Sequence, residues 1–343
     1  PRRPPARHAS PDHDGGSSIQ ASRWVIGFRQ IQMIGGFMAR RLRFDLFALA
    51  FFAISLPTGA QAADPPKTLP TVAERTQGLE KHDGLLTLYF DRQRGRVYLE
   101  LPEASDPDRG HRYLYVEGLV TGLGSNDVGL DRGQLGPARL VGLRRVGGLV
   151  VVEEANVGYR ALSEDVDERR AVRQSFARSV HWGGEILAEN PDGTVLVDFT
   201  TFLVRDAHGA ARRLERAEQG SFSLDASRSA VRMDDCLVFP ENVELEALLT
   251  FKGSKPGEYV RETAPSPEAV TLVQHHSLIK LPDDGYRPRE FDPRAGSFGI
   301  SFFDYAAPLD QPIETSWIVR HRLEKTDPTA ERSPVVEPIV YYV

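Results

Sequence analysis

From Gly84 onward the apolar residues of this chain recur at every second position, in short runs cut off by Gly, Pro, Asn and Asp. A period of two puts alternate side chains on opposite faces of an extended backbone, so the pattern demands β-strands with one face in a core. Val97, Leu99 and Leu101 alternate with Tyr98 and Glu100, and Val243, Leu245 and Ala247 alternate with Glu244 and Glu246. The punctuation between runs has a mechanism. Asn190-Pro-Asp-Gly193 supplies side-chain-to-backbone bonds and a residue that tolerates positive φ, and Gly147-Gly148 suits a two-residue hairpin. Strands are expected at 84–90, 96–101, 112–118, 138–146, 149–154, 179–188, 194–199, 242–251, 270–281, 298–303 and 313–323. The last of these would place Trp317, Val319, His321 and Leu323 on one face. One helix is expected over 163–178, capped by Ser163 and carrying acidic residues early and basic ones late, which suits the helix dipole. A second helical piece is expected within 202–219, and a loop or domain joint over 255–267. The fold class is therefore mainly β (α+β): antiparallel sheets and hairpins with one or two short helices.

The start of the chain has a different character. Met38 to Ala62 joins a basic stretch (Arg40, Arg41, Arg43), an apolar run from Leu46 to Leu56 and a small-x-small site at Ala60-Gln61-Ala62. That order defines a signal peptide, and the apolar run is too short to span a bilayer. The expected organisation is a mistranslated upstream segment (1–37), the signal peptide (38–62), a mobile leader (63–80), a β-rich accessory domain (81–255), a second β part or linker region (256–336) and the start of a further domain (337–343). Export places the mature chain in the periplasm or outside the cell, with no membrane span left after cleavage.

Charge narrows the partners. Residues 1–62 hold 8 of the 42 basic and 3 of the 48 acidic residues, so the remainder carries 34 and 45, a net charge of −11. An acidic chain argues against nucleic acid, because phosphate binding needs a basic face. The single cysteine, Cys236, rules out an internal disulfide framework.

Several separated segments carry a resemblance. Gln274-His275-His276-Ser277-Leu278 is followed by the turn Pro282-Asp-Asp-Gly285 and by Arg289-x-x-Asp292-Pro293-Arg294-x-Gly296. With Gly122-Leu-Gly-Ser-Asn-Asp-Val-Gly-Leu-Asp-Arg-Gly-Gln134, Phe176-Ala-Arg-Ser-Val-His-Trp182, Phe239-Pro-Glu-Asn-Val-Glu244 and the tail Arg322 to Val343, this order resembles a family of bacterial secreted zinc metalloproteases. Members carry two N-terminal domains of unknown function before a metzincin-type peptidase domain. The resemblance covers about residues 68–343. It implies the accessory region only, because H-E-x-x-H-x-x-G-x-x-H is absent: none of His8, His13, His82, His111, His181, His208, His275, His276 and His321 opens that spacing. It implies no cofactor in this chain, zinc being expected in the catalytic domain, and no independent activity. Its partners would be its own C-terminal peptidase domain and a protein or peptide substrate.

The residues to watch are Asp131, Arg132 and Gln134 in the glycine-bearing loop, His275 and His276 in a strand, and Arg289, Asp292 and Arg294 in the Pro-punctuated loop. Adjacent histidines in a strand point to opposite faces and cannot readily share one metal. An ion pair among Arg289, Asp292 and Arg294 would fix the path of their loop. The other reading of these residues is contact with the peptidase domain or its cleft. A rival to the accessory region is a stand-alone exported β-rich module that binds protein or glycan through loops 121–137 and 283–297.

Overall fold

The computed structural model describes residues 69–124 and 128–340. Segments 1–37 and 38–62, positions 63–68 of the leader, residues 125–127 of the glycine-bearing loop and the last three residues lie outside these. The chain divides into two units, Pro1–Ala63 and Asp64–Val343, and every element below belongs to the second.

The leader is anchored from residue 69 onward, contrary to the mobility expected of it. Thr71 and Glu74 form a reciprocal capping box on α1 (Val72–Arg75), and the Val72 N–H donates to Asn190 Oδ1 at 2.9 Å. Val72 packs with Tyr89, Tyr98, Ala188 and Leu196 in a small cluster of its own.

Strand β1 (Glu80–His82) was not expected, while β2 (Thr87–Asp91), β3 (Arg96–Leu101), β4 (His111–Leu119), β5 (Arg139–Val146) and β6 (Leu149–Glu154) fall within or close to the expected runs. Tyr89 and Tyr98 are buried on the face of β2 and β3 away from the main core. After β7 (Tyr159–Arg160) and α2 (Val166–Ser175) come β8 (Ser179–Glu189), β9 (Val195–Asp198), α3 (Thr200–Leu203) and α4 (Ala210–Arg216). The chain continues through β10 (Ser221–Leu224), β11 (Ala230–Val231), β12 (Leu237–Val238) and β13 (Asn242–Ser254). Last come α5 (Glu258–Thr263), β14 (Ala269–Lys280), β15 (Gly299–Asp304) and β16 (Glu314–Ile318).

Thirteen strands make one antiparallel sheet in the order β1-β2-β3-β9-β8-β6-β5-β4-β14-β13-β10, with β11 and β12 also on β13. A sheet this wide curls on itself, and β8 breaks register against both β6 and β9. The result is a near-barrel that is mostly β, 38% strand and 15% helix, which is the fold class the alternation demanded. The inner faces of its strands supply one continuous apolar core, closed by α3, α4 and the stacked rings of Phe199 and Phe202, 4.4 Å apart. Each such ring removed from water contributes about 2–3 kcal/mol. A second, three-stranded sheet is ordered β16-β15-β7, with β7 and β15 parallel.

Several expectations are corrected. The helix expected over 163–178 runs from Val166 to Ser175, because Asp165 and not Ser163 accepts from the N–H groups of Asp167 and Glu168. Its C-terminal side opens into extended backbone at Phe176, whose ring stacks on Tyr159 at 3.9 Å. The stretch 202–219 holds the end of α3 and all of α4, and 255–267 contains α5 between Pro256 and Pro265. With α1, that gives five α-helices among the described residues where one or two were expected. The strand expected over 313–323 stops at Ile318, after which Arg320 lies over the Tyr286 ring and donates to Arg287 O at 2.7 Å. The division after residue 255 falls between β13 and β14, which pair through eleven positions in one sheet.

Candidate functional site

The inner face of β4 and β14 is where the apolar alternation is broken. On β4 the inward positions read Tyr113, Tyr115, Glu117 and Leu119; on β14 they read Val270, Leu272, Gln274, His276 and Leu278. Register sets His276 opposite Glu117. Both are buried, at 0% and 2% exposure, so a polar band crosses an otherwise apolar core.

Buried polar groups require partners, and this band has them. Tyr115 Oη lies 2.8 Å from His276 Nδ1, and His276 Nε2 lies 3.0 Å from Leu203 O and 2.9 Å from Gln274 Nε2. Gln274 accepts from the His208 N–H and donates to Arg205 O, tying the α3–α4 connection to the sheet. Arg205 donates to Tyr115 Oη at 2.9 Å and lies over the Phe202 ring at 4.6 Å. Glu117 pairs with Arg139, which also approaches Glu154 at 3.6 Å, and Glu154 meets His181 at 2.6 Å. Gly136 makes room for the carboxylate: a Cβ there would fall 2.0 Å from Glu117 Oε1.

Burial governs the protonation of the band. It drives the His276 imidazole down to about 3, with the Arg205 charge acting in the same direction, so the ring is neutral. Burial likewise lowers His208, helped by Arg213, and holds the Arg205 guanidinium below its usual value. Both ring nitrogens of His208 and Nε of Arg205 lack a hydrogen-bond partner. Tyr115, whose hydroxyl burial pushes up, stays protonated. Nothing here is poised as a nucleophile. Among the described residues no cluster of His, Cys, Asp and Glu could hold a metal ion. Cys236 is buried with its thiol pushed up to about 11 by desolvation, and behaves as a small hydrophobe.

The residues singled out from sequence take three different places. His276 is the centre of the buried band. His275, one residue away, faces outward and pairs with Glu244 at 2.6 Å and Glu246 at 3.6 Å. The hydrogen bond to Glu244 raises the His275 pKa against the opposing effect of its burial. Asp131, Arg132 and Gln134 belong to a loop zipped back on β4: the Leu119 N–H donates to Gln134 O and the Gly133 N–H to Leu119 O. Gln134 Oε1 accepts from the Asp131 N–H at 3.3 Å, while Arg132 is exposed. The third group is exposed. Arg294 clamps Asp292 through Nε and Nη2, the bidentate pair foreseen for this loop, but Arg289 stands outside that pair, its carbonyl accepting from the Ile318 N–H.

A second feature was not read from sequence. A cleft of about 390 Å³ opens between α2, β7 and the β5–β6 hairpin, and six arginines line it: Arg109, Arg112, Arg160, Arg169, Arg173 and Arg178. The arginines of α2 read as a solvated helix face, and nothing in the spacing links them to Arg109 and Arg112, some sixty residues earlier. The stack of Tyr159 on Phe176 and the cation–π contact of Arg160 with Phe302 at 4.3 Å fix this corner to the small sheet.

Fold and site together define a mainly β, near-barrel domain with a buried polar band and an arginine-lined cleft. Its family is established by sequence: a profile described as a domain of unknown function, DUF5117, matches residues 133–326, and the chain belongs to that family. No curated protein and no solved structure matches it.

Proposed function

We propose that this chain is the non-catalytic N-terminal region of an exported zinc-dependent metalloprotease, and that it assists the folding, positioning or shielding of the catalytic domain. The observation that carries the reading is the distribution of exposed apolar side chains. Half of the large hydrophobic residues exposed on the described surface lie between Phe298 and Val340, among them Phe298 at 87%, Leu309 at 107% and Val336 at 60%. Isolated apolar residues on a surface are ordinary; a concentration of them marks a face that another protein surface covers. Here the concentration falls in β15, β16 and the irregular segment beyond them, the part of the chain whose motifs resemble the approach to a peptidase domain. The ordered series of resembling segments supports the same reading.

Reading the gene past codon 343 tests it first. An open frame reaching H-E-x-x-H-x-x-G-x-x-H is the expected result, and a stop codon at that point would overturn the proposal. Hydrogen exchange then tests the role of the face. Amides of 298–340 should exchange more slowly in the full-length protein than in the isolated 343-residue chain, while those of β13 and β14 stay unchanged. Equal exchange at 298–340 would remove the docking role.

A further inference from the structure

We propose that the arginine-lined cleft is a binding site for a short acidic peptide segment with apolar side chains between its carboxylates. The inference stands on the cleft alone and holds whether or not a peptidase domain follows.

Not all the arginines of the cleft are used up by the fold; Arg109 pairs with Asp106 at 3.5 Å. Arg178 pairs with Glu153, which Arg144 also neutralises, and Arg160 donates to Val157 O. Arg169 donates to Ser163 O and reaches only the fully exposed Glu164, at 3.6 Å. Arg112 and Arg173 have no hydrogen-bond or ion-pair partner among the described residues, although Arg173 is half-buried. The acids lining the cleft are Glu153, already paired twice, and Asp108. Spare guanidinium donors held in a concavity favour carboxylate or phosphate ligands, which they meet in bidentate fashion.

The mixed lining selects a peptide from the possible anions. The arginines come from the β3–β4 turn, β4, β7, α2 and the residue before β8, so five separate segments supply them to one cleft. Leu140, Val157, Leu162, Val172 and Phe176 line the same cleft, and Val157 and Leu162 remain 42% and 51% exposed. That combination suits an amphipathic ligand. Exposed acids adjoin the lining residues in the chain, Asp106 near Arg109 and Glu164, Asp165, Asp167 and Glu168 around the start of α2. The volume, about 390 Å³, lies within the range of ligand-holding clefts and admits a few side chains.

The test uses the purified 343-residue chain and a fluorescein-labelled peptide of alternating glutamate and leucine, followed by anisotropy at moderate salt. Binding is expected, and Arg112→Glu combined with Arg173→Glu should weaken it at least tenfold with an unchanged thermal midpoint. Arg289→Glu combined with Arg294→Glu makes the same charge change on the exposed loop and should leave affinity within about twofold. The matching glutamine–leucine peptide should not bind. No binding of the acidic peptide would overturn the proposal, as would equal weakening by the two double variants, which would report only the overall field. Retention of inorganic phosphate or heparin without the peptide would also overturn it, by showing a general anion site.

Discussion

Replacing Glu117 by alanine is expected to destabilise the fold by about 3 kcal/mol, measured as a lower urea midpoint at neutral pH. Glu117 is 2% exposed and its side chain occupies an inward position of β4 between Tyr115 and Leu119. Removing one partner of a buried ion pair leaves the other charge uncompensated, an effect larger than the loss of the contact itself. The expectation sits at the low end of the usual 3–5 kcal/mol because the Arg139 side chain is 19% exposed and retains Glu154 at 3.6 Å. A companion variant separates charge from packing. Glu117→Leu with Arg139→Met removes both charges and keeps the volume, and it should recover most of the loss. If Glu117→Ala costs less than about 1 kcal/mol, the pair is not what holds this seam.

The second large effect is a loss of stability in mild acid. His276 has a folded-state pKa of about 3 against 6.5 for the exposed ring, because burial excludes the charged form. In the unfolded chain the ring takes up a proton below pH 6.5; in the folded protein it does not. The unfolded state therefore binds more protons between these values, and stability falls as pH drops from 6.5 towards 3. One such proton gives a slope of about 1.4 kcal/mol per pH unit, so pH 4.5 should cost about 2–3 kcal/mol relative to pH 6.5. His208, also lowered by burial, acts in the same direction. His275 has the opposite sign: its raised pKa contributes stability that is complete below pH 6.5 and is lost as pH rises through the folded value. Glu244 enters lower down. Burial works upward on its carboxyl, but hydrogen bonds from His275, Asn242 and Ser277 outweigh it, so its contribution fades only as pH falls below about 4.5. Urea midpoints at pH 7, 6, 5 and 4.5 measure the slope. His276→Leu should lower stability at pH 7, by removing the partner at Nδ1 of the Tyr115 hydroxyl and the partner of Leu203 O, and should flatten the slope; an unchanged slope would exclude His276 as its source.

The period of two made most of this fold legible, since a strand with one buried face writes its burial directly into alternate residues. It also separated His275 from His276 correctly. What it could not supply was the meaning of Glu117 and Gln274. A polar residue at an alternating position reads as a break or a wet face until the partner arriving from another element is known. Arg139, Arg205 and His208 arrive from β5 and the α3–α4 connection, and no local pattern announces them. Helix limits failed for a different reason, as Ser163 and Asp165 both suit a cap and only the backbone path chooses between them. In 255–267 three prolines suggested a loop, yet they flank the six residues of α5 without interrupting it. The candidate sites divide in the same way. The Asp292–Arg294 pair is local and was foreseen, whereas the arginine cleft is assembled from segments far apart in the chain and has no signature in any one of them.

The register of β14 on β4 also dictates an order of events. These strands lie side by side, yet some 160 residues separate His276 from Glu117, so most of the domain must be synthesised before the seam can close. Closing a loop of that length costs entropy that is recovered only once the pairing is in place. Until β14 is available the edge of β4 that carries this pairing has no partner, and Glu117 and Tyr115 lack the strand that covers them in the folded domain. The polar band marks that edge as one meant for a partner from the same chain.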